Sequence, residues 1–203
     1  VLLHLEMLSL ILLASSSSST PFHFSNTLGS HMVLQRDRPA PIWGWATPGA
    51  KVTVTLGGKP ASPPTSATAT ENGLWRVVLP AQPATLTGRT ITAVVSSGET
   101  IALTDVLFGE VVLCSGQSNM ELVLPVVVNA TAEIEAADNY PHIRLFTGPM
   151  QNADSLKNGE NEPQIFNVTH DELYWIRMNW SVASAKGVRE CVVVIYFFIR
   201  VYD

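Results

Sequence analysis

Four stretches in the first half of the chain alternate apolar and polar residues with a period of two, and this pattern narrows the fold most. Lys51–Leu56 reads KVTVTL, residues 74–80 LWRVVLP, residues 90–95 TITAVV and residues 100–108 TIALTDVLF. Side chains of a strand point alternately to its two faces, so each run makes a ribbon with one apolar side. Turn formers separate the runs: Thr47-Pro48-Gly49, Gly57-Gly58, Glu71-Asn72-Gly73 and Ser96-Ser97-Gly98. Short strands at this spacing predict a β-sandwich-like domain over residues 21–108. Within it, residues 61–70 (ASPPTSATAT) are rich in proline and hydroxyl side chains and read as a solvent-exposed loop.

The pattern changes at Gly109. Residues 111–113 are wholly apolar, as in a strand buried on both faces, and lead into the polar turn SGQSN. Residues 130–141 (ATAEIEAADNYP) have helical composition and stop at a proline. Residues 143–147 (IRLFT) read as a further strand, and strand, helix, strand is the order of a parallel α/β unit. Residues 151–163 form a polar loop, while the tail from residue 188 suits either a β-branched strand or a buried helix. No internal repeat is present. The expected fold class is therefore mixed α/β, a sandwich followed over residues 109–203 by the opening of a parallel α/β domain. The second part has too few strands to close a sheet covered on both faces, so the chain reads as truncated.

At 203 residues, 46% hydrophobic and 14% charged, the chain can bury a sizeable core. A net charge of −5, thinly spread, offers no basic patch and argues against a nucleic-acid partner. Residues 1–20 resemble a secretory leader, with the apolar run LSLILLA before SSSSST, although His4 and Glu6 stand where basic residues are usual. Three acceptor tripeptides for N-glycosylation, at Asn129, Asn167 and Asn179, fit the same route, so a secreted or lysosomal protein is expected. Cys114 and Cys191 are too few for a disulfide framework and, lying in apolar runs, read as buried free thiols. Residues 191–199 (CVVVIYFFI) fall far short of the roughly 20 residues of a membrane span.

Chemistry is concentrated in the turn after residue 113. In parallel α/β folds catalytic groups gather beyond the carboxyl ends of strands, and Ser118 lies five residues past Leu113. Its hydroxyl there is placed to attack a carbonyl, with neighbouring backbone N–H groups on the oxyanion. The same position also suits a serine or asparagine that only caps a helix. Trp43, Trp45 and Trp75 offer a second possibility, stacking on sugar faces, against which stands simple core packing. No metal-ligand spacing, phosphate loop or dinucleotide fingerprint occurs, and no cofactor is expected.

The segment GEVVLCSGQSNME (109–121) resembles the block around the nucleophile of the sialate O-acetylesterase family, a branch of the Ser-Gly-Asn-His hydrolases. Residues 31–58 (HMVLQRDRPAPIWGWATPGAKVTVTLGG), 71–81 (ENGLWRVVLPA) and 91–111 are similar to the family's β-domain. IRLFT and WSVAS (180–184) fit its next landmarks, and YFFIRVYD (196–203) is a looser match. The resemblance covers the chain from about residue 30 to its end. It implies a flavodoxin-like α/β hydrolase domain after the sandwich. It makes Ser118 the nucleophile and an oxyanion donor, and Gly116, Gln117 and Asn119 turn or pocket residues. It places Ser115 and Cys114 outside that role. The implied substrate is an O-acetylated sialic acid or sialoglycan, and the implied reaction passes through an acetyl-enzyme.

The sequence departs from the family in three places. Val112 replaces a tryptophan usual in that strand, and residues 187–191 read GVREC in place of Phe-Ser-Ala-Val-Cys. Most important, an activated serine needs a base, and the family's Asp-x-x-His block has no counterpart in this sequence. Of the five histidines, His4, His23, His31, His142 and His170, each reads as a surface or structural residue. Gly159-Glu-Asn-Glu162 imitates another block of the wider group but comes too early in the family order. The expectation is an N-terminal portion of an esterase with little activity alone. Its rival is a non-catalytic product whose β-domain binds glycans.

Overall fold

The computed structural model describes residues 21–114, 122–148, 166–167, 172–173 and 178–190. Its strands in chain order are β1 (His23–Phe24), β2 (Val33–Gln35), β3 (Ala40–Trp45), β4 (Lys51–Leu56), β5 (Thr65–Thr68), β6 (Leu74–Leu79), β7 (Arg89–Val95) and β8 (Thr100–Gly109). After these come α1 (Ala130–Ala136), β9 (Arg144–Thr147), β10 (Phe166–Asn167), β11 (Glu172–Leu173) and β12 (Met178–Val182). The alternating runs thus become β4, β6, β7 and β8, each within a residue or two of its expected bounds. In β4, Val52, Val54 and Leu56 are buried while Lys51 and Thr55 face solvent.

Two sheets enclose one core. β1-β3-β6 form a three-stranded sheet, and β2-β8-β7-β4-β5 a five-stranded one. Ile42, Trp75, Val77 and Leu79 from the first meet Val52, Val54, Ile91, Ala93, Val106 and Phe108 from the second. Removing this much apolar surface from water, at roughly 25 cal/mol per Å2, is the main stabilisation such a sandwich has. Gly73 turns β6 back beside β3 at φ 81°, a left-handed conformation that glycine adopts without strain.

Residues 61–70 are not entirely loop. β5 lies within them and pairs antiparallel with β4 at the sheet edge, Thr53 and Ser66 sharing a hydroxyl hydrogen bond of 2.9 Å. A short edge strand of small polar residues leaves no apolar periodicity in the sequence; its ladder partner makes it a strand.

One cation is buried in the sandwich. Arg89, 3% exposed, donates from Nε to Gly57 O (2.7 Å), from Nη1 to Gln82 Oε1 (2.6 Å) and from Nη2 to Pro60 O (2.7 Å). These neutral acceptors satisfy the guanidinium and tie two loops to β7, and burial lowers the Arg89 pKa from its ordinary value. Its guanidinium carbon lies 5.8 Å from the centre of the Phe108 ring.

The later elements build a second core from Leu124, Ile134, Ala137, Ile143, Leu145, Ala183 and Val188. The expected helix runs as α1, continues as a 3-10 turn over Ala137–Asn139 and stops before Pro141. The expected strand at 143–147 is β9. Its partner is β12, running antiparallel, and among the described residues the parallel pairing is that of β2 with β8. Residues 111–113 form no strand there: Val111, Val112 and Leu113 are 46%, 41% and 90% exposed. A parallel strand exists only through neighbours on its ladder, and apolar composition alone does not provide them. Overall the class is mixed α/β, dominated by strands.

Candidate active site

The chain approaches the SGQSN segment from the end of β8. β2 and β8 run parallel, with Gln35 beside Gly109, and Arg36 N donates to Gly109 O at 2.9 Å. Beyond that point the Gln35 side chain takes over the role of a strand. Its Oε1 accepts from Val111 N at 3.1 Å, and its Nε2 donates to Glu110 Oε2 at 3.0 Å. An amide side chain that both accepts and donates extends the ladder two residues past its backbone end. Val111 is thereby held seven residues before Ser118.

Gly116, Gln117, Ser118 and Asn119 lie outside the described residues, as do Ser115, Cys191, His4, His170 and the 159–162 segment. Cys114 is described and is a free thiol of intermediate burial, off any strand. This corrects its expected place on a buried strand, for the same reason that residues 111–113 form none. After the SGQSN segment in the sequence, Leu124 is fully buried and anchors the chain in the second core.

Three of the histidines are described. His142 is exposed in the turn before β9, and His23 is exposed on β1 with its ring stacked on Trp45. His31 is the histidine that meets a carboxylate: its Nδ1 lies 2.8 Å from Asp105 Oδ2. Asp105 in turn receives Arg144 Nη1 at 2.5 Å and Nη2 at 3.2 Å. Arg144, above all, and His31 hold the Asp105 carboxyl below its ordinary pKa, against the opposing effect of partial burial.

This cluster follows from a bulge. β7 pairs Ile91 with Leu103 but Arg89 with Val106, so β8 carries one extra residue, and Asp105 there takes φ 55°. Gly88 makes room: a Cβ at that position would lie 2.8 Å from the Asp105 Cα. Sequence reasoning misses the Gln35 clamp on Val111 and the Asp105–Arg144 pair. The one available signal is Asp105 itself, a charge inside the alternation of TIALTDVLF.

Trp75 packs in the sandwich core, as the core-packing alternative expects. Trp43 and Trp45 share the opposite face of their sheet, Trp45 buried and Trp43 half-buried. Asn129 is exposed at the start of α1, Asn179 is exposed on β12, and Asn167 lies on β10. Among the described residues no helix is long and apolar enough to cross a membrane, and no three His, Cys, Asp or Glu residues gather in a metal-binding group.

No protein-family model matches the sequence. The human sialate O-acetylesterase is 35% identical over 161 residues, which cover 75% of this chain and 30% of the relative. The mouse sialate O-acetylesterase is 32% identical over 176 residues, 83% of this chain and 31% of that protein. Among solved structures, a carbohydrate acetylesterase from Xanthomonas citri superposes with a TM-score of 0.70 at 29% identity, over 88% of this chain and 36% of that one. The chain thus spans about a third of the length of the relatives it matches. Over those shared residues, the chain is similar to the sialate O-acetylesterases.

Proposed function

We propose that the chain is the nucleophile-bearing portion of a carboxylic ester hydrolase that removes O-acetyl groups from sialic acids. The observation that carries this reading is Gly-Gln-Ser-Asn at residues 116–119, within a stretch of 35% identity to a named sialate O-acetylesterase. Ser118 Oγ attacks the acetyl carbonyl, and its proton passes through a base to the sugar oxygen as the ester C–O bond breaks. The Ser118 backbone N–H stabilises the oxyanion, with Gly116, Gln117 and Asn119 shaping the turn and pocket. Water then attacks the acetyl-enzyme, releasing acetate and the free serine. No metal or organic cofactor enters this scheme.

The base is an Asp-x-x-His pair supplied from outside these 203 residues, since no such pair occurs within them. The leader-like residues 1–20 and the acceptors at Asn129, Asn167 and Asn179 favour a secretory route, ending in a secreted or lysosomal protein. The test is hydrolysis of a chromogenic acetate and of an O-acetylated sialic acid. The 203-residue chain is expected to be inactive, a chain extended to the length of the relatives active, and its Ser118→Ala variant inactive. Undiminished hydrolysis by Ser118→Ala overturns the assignment.

A further inference from the structure

The three-stranded sheet has a face turned away from the sandwich core. Across it, His23, Trp45 and Leu74 stand in one row, Trp43 and Arg76 in the next, and Pro41 and Val78 in the third. Trp45 is only 4% exposed, its indole covered by the His23 ring at 5.3 Å and 22°. Trp43 is half-buried, Arg76 exposed and Val78 51% exposed. Directly opposed residues of antiparallel strands hold their Cβ atoms about 5 Å apart, so the Arg76 head is within reach of a ligand lying on Trp43.

Arg76 has no ion-pair partner among the described residues, the pairs there being those of His31, Arg36 and Arg144. A half-buried indole beside a guanidinium with no ion-pair partner there presents an apolar surface and a two-pronged carboxylate donor side by side. A pyranose supplies a C–H face for the first, and a sugar acid supplies a carboxylate for the second. The net charge of −5 gives anions no general attraction to the chain, so preference for an acidic sugar has to come from Arg76 itself.

We infer that this face binds a glycan ending in a sugar acid, the ring lying on Trp43 and the carboxylate on Arg76. The choice of a sialoside as ligand rests on the proposed substrate class, but binding at this face requires no chemistry at Ser118. The test titrates the full chain with sialyllactose free of O-acetyl groups, and with lactose, followed by tryptophan fluorescence and ligand-observed NMR.

Sialyllactose is expected to bind roughly tenfold more tightly than lactose, the ordinary effect of one charged hydrogen-bonded contact. Arg76→Gln is expected to erase that preference and Trp43→Ala to remove binding of both sugars. Trp43→Phe is expected to keep part of it, and thermal melts establish that each variant is folded. Absence of sialyllactose binding by the parent chain overturns the inference, as does binding unaffected by Arg76→Gln. Self-association abolished by Trp43→Ala, without sugar binding, assigns the face to a second copy of the chain. Failure of ester hydrolysis by the extended protein leaves the inference standing, because the probe carries no ester.

Discussion

Arg144 of β9 grips Asp105 of β8 with both terminal nitrogens, at 2.5 and 3.2 Å, and so joins the later elements to the sandwich. The two partners are unequal: the Arg144 side chain is 4% exposed and that of Asp105 36%. A second link runs parallel to it, Trp180 Nε1 donating to Thr27 O at 2.9 Å while the Phe146 and Trp180 rings lie 5.2 Å apart.

The asymmetry predicts unequal costs for breaking the pair. Asp105→Ala strands a buried guanidinium whose Nε already lacks an acceptor among the described residues, and is expected to cost about 2–3 kcal/mol. Arg144→Met leaves a third-exposed carboxylate with His31 beside it and is expected to cost about 1 kcal/mol. Urea unfolding of the two variants checks the order; equal costs contradict it.

Acid should weaken the same junction. The Asp105 pKa is lowered in the folded chain, chiefly by the Arg144 hydrogen bond, so between the folded and unfolded values the unfolded state binds more protons. The stabilisation is therefore complete above the unfolded value, about 3.9, and is lost as pH falls through the folded one. Asp105→Asn is expected to flatten this acid limb in urea midpoints measured from neutral to strongly acidic pH. The effect is modest because solvent screens a carboxylate this exposed.

Gln35 is expected to steady the approach to Ser118. Gln35→Ala removes the hydrogen bonds to Val111 and Glu110, about 1 kcal/mol of local stability. Cys114, three residues beyond Val111, is the reporter, read in a Cys191→Ser background. Its alkylation is expected to quicken about fivefold, the factor that 1 kcal/mol gives. An unchanged rate shows that the clamp does not govern this segment.

Asn129 is an exposed acceptor for a glycan, standing ahead of α1 at φ 62°. Expression through a secretory host should give a mass that falls on enzymatic deglycosylation. Thr131→Ala is expected to remove one glycan unit; the same mass for both proteins refutes this.

How far local pattern reaches is clear from particular elements. β4 needs only its own alternation, because Val52, Val54 and Leu56 must share one side of any extended chain. α1 likewise follows from composition and a proline stop. The SGQSN turn is conspicuous in sequence, since glycine and amide residues after an apolar run have little other use, and the family resemblance separates Ser118 from Ser115 and Cys114.

Other features depend on neighbours distant in the chain. TSAT is a strand because β4 lies beside it, and residues 111–113 are not one because nothing described pairs with them beyond the Gln35 side chain. Trp43 and Trp45 alternate as core residues do, yet register places them on the outer side while Trp75 takes the inner one. Asp105 meets Arg144 across 39 residues through a bulge that no local propensity encodes. Periodicity and turn chemistry are properties of a few adjacent residues and can be read from them alone. Ladder partners, bulges and ion pairs between elements arise only when the packed chain chooses among many competing long-range contacts.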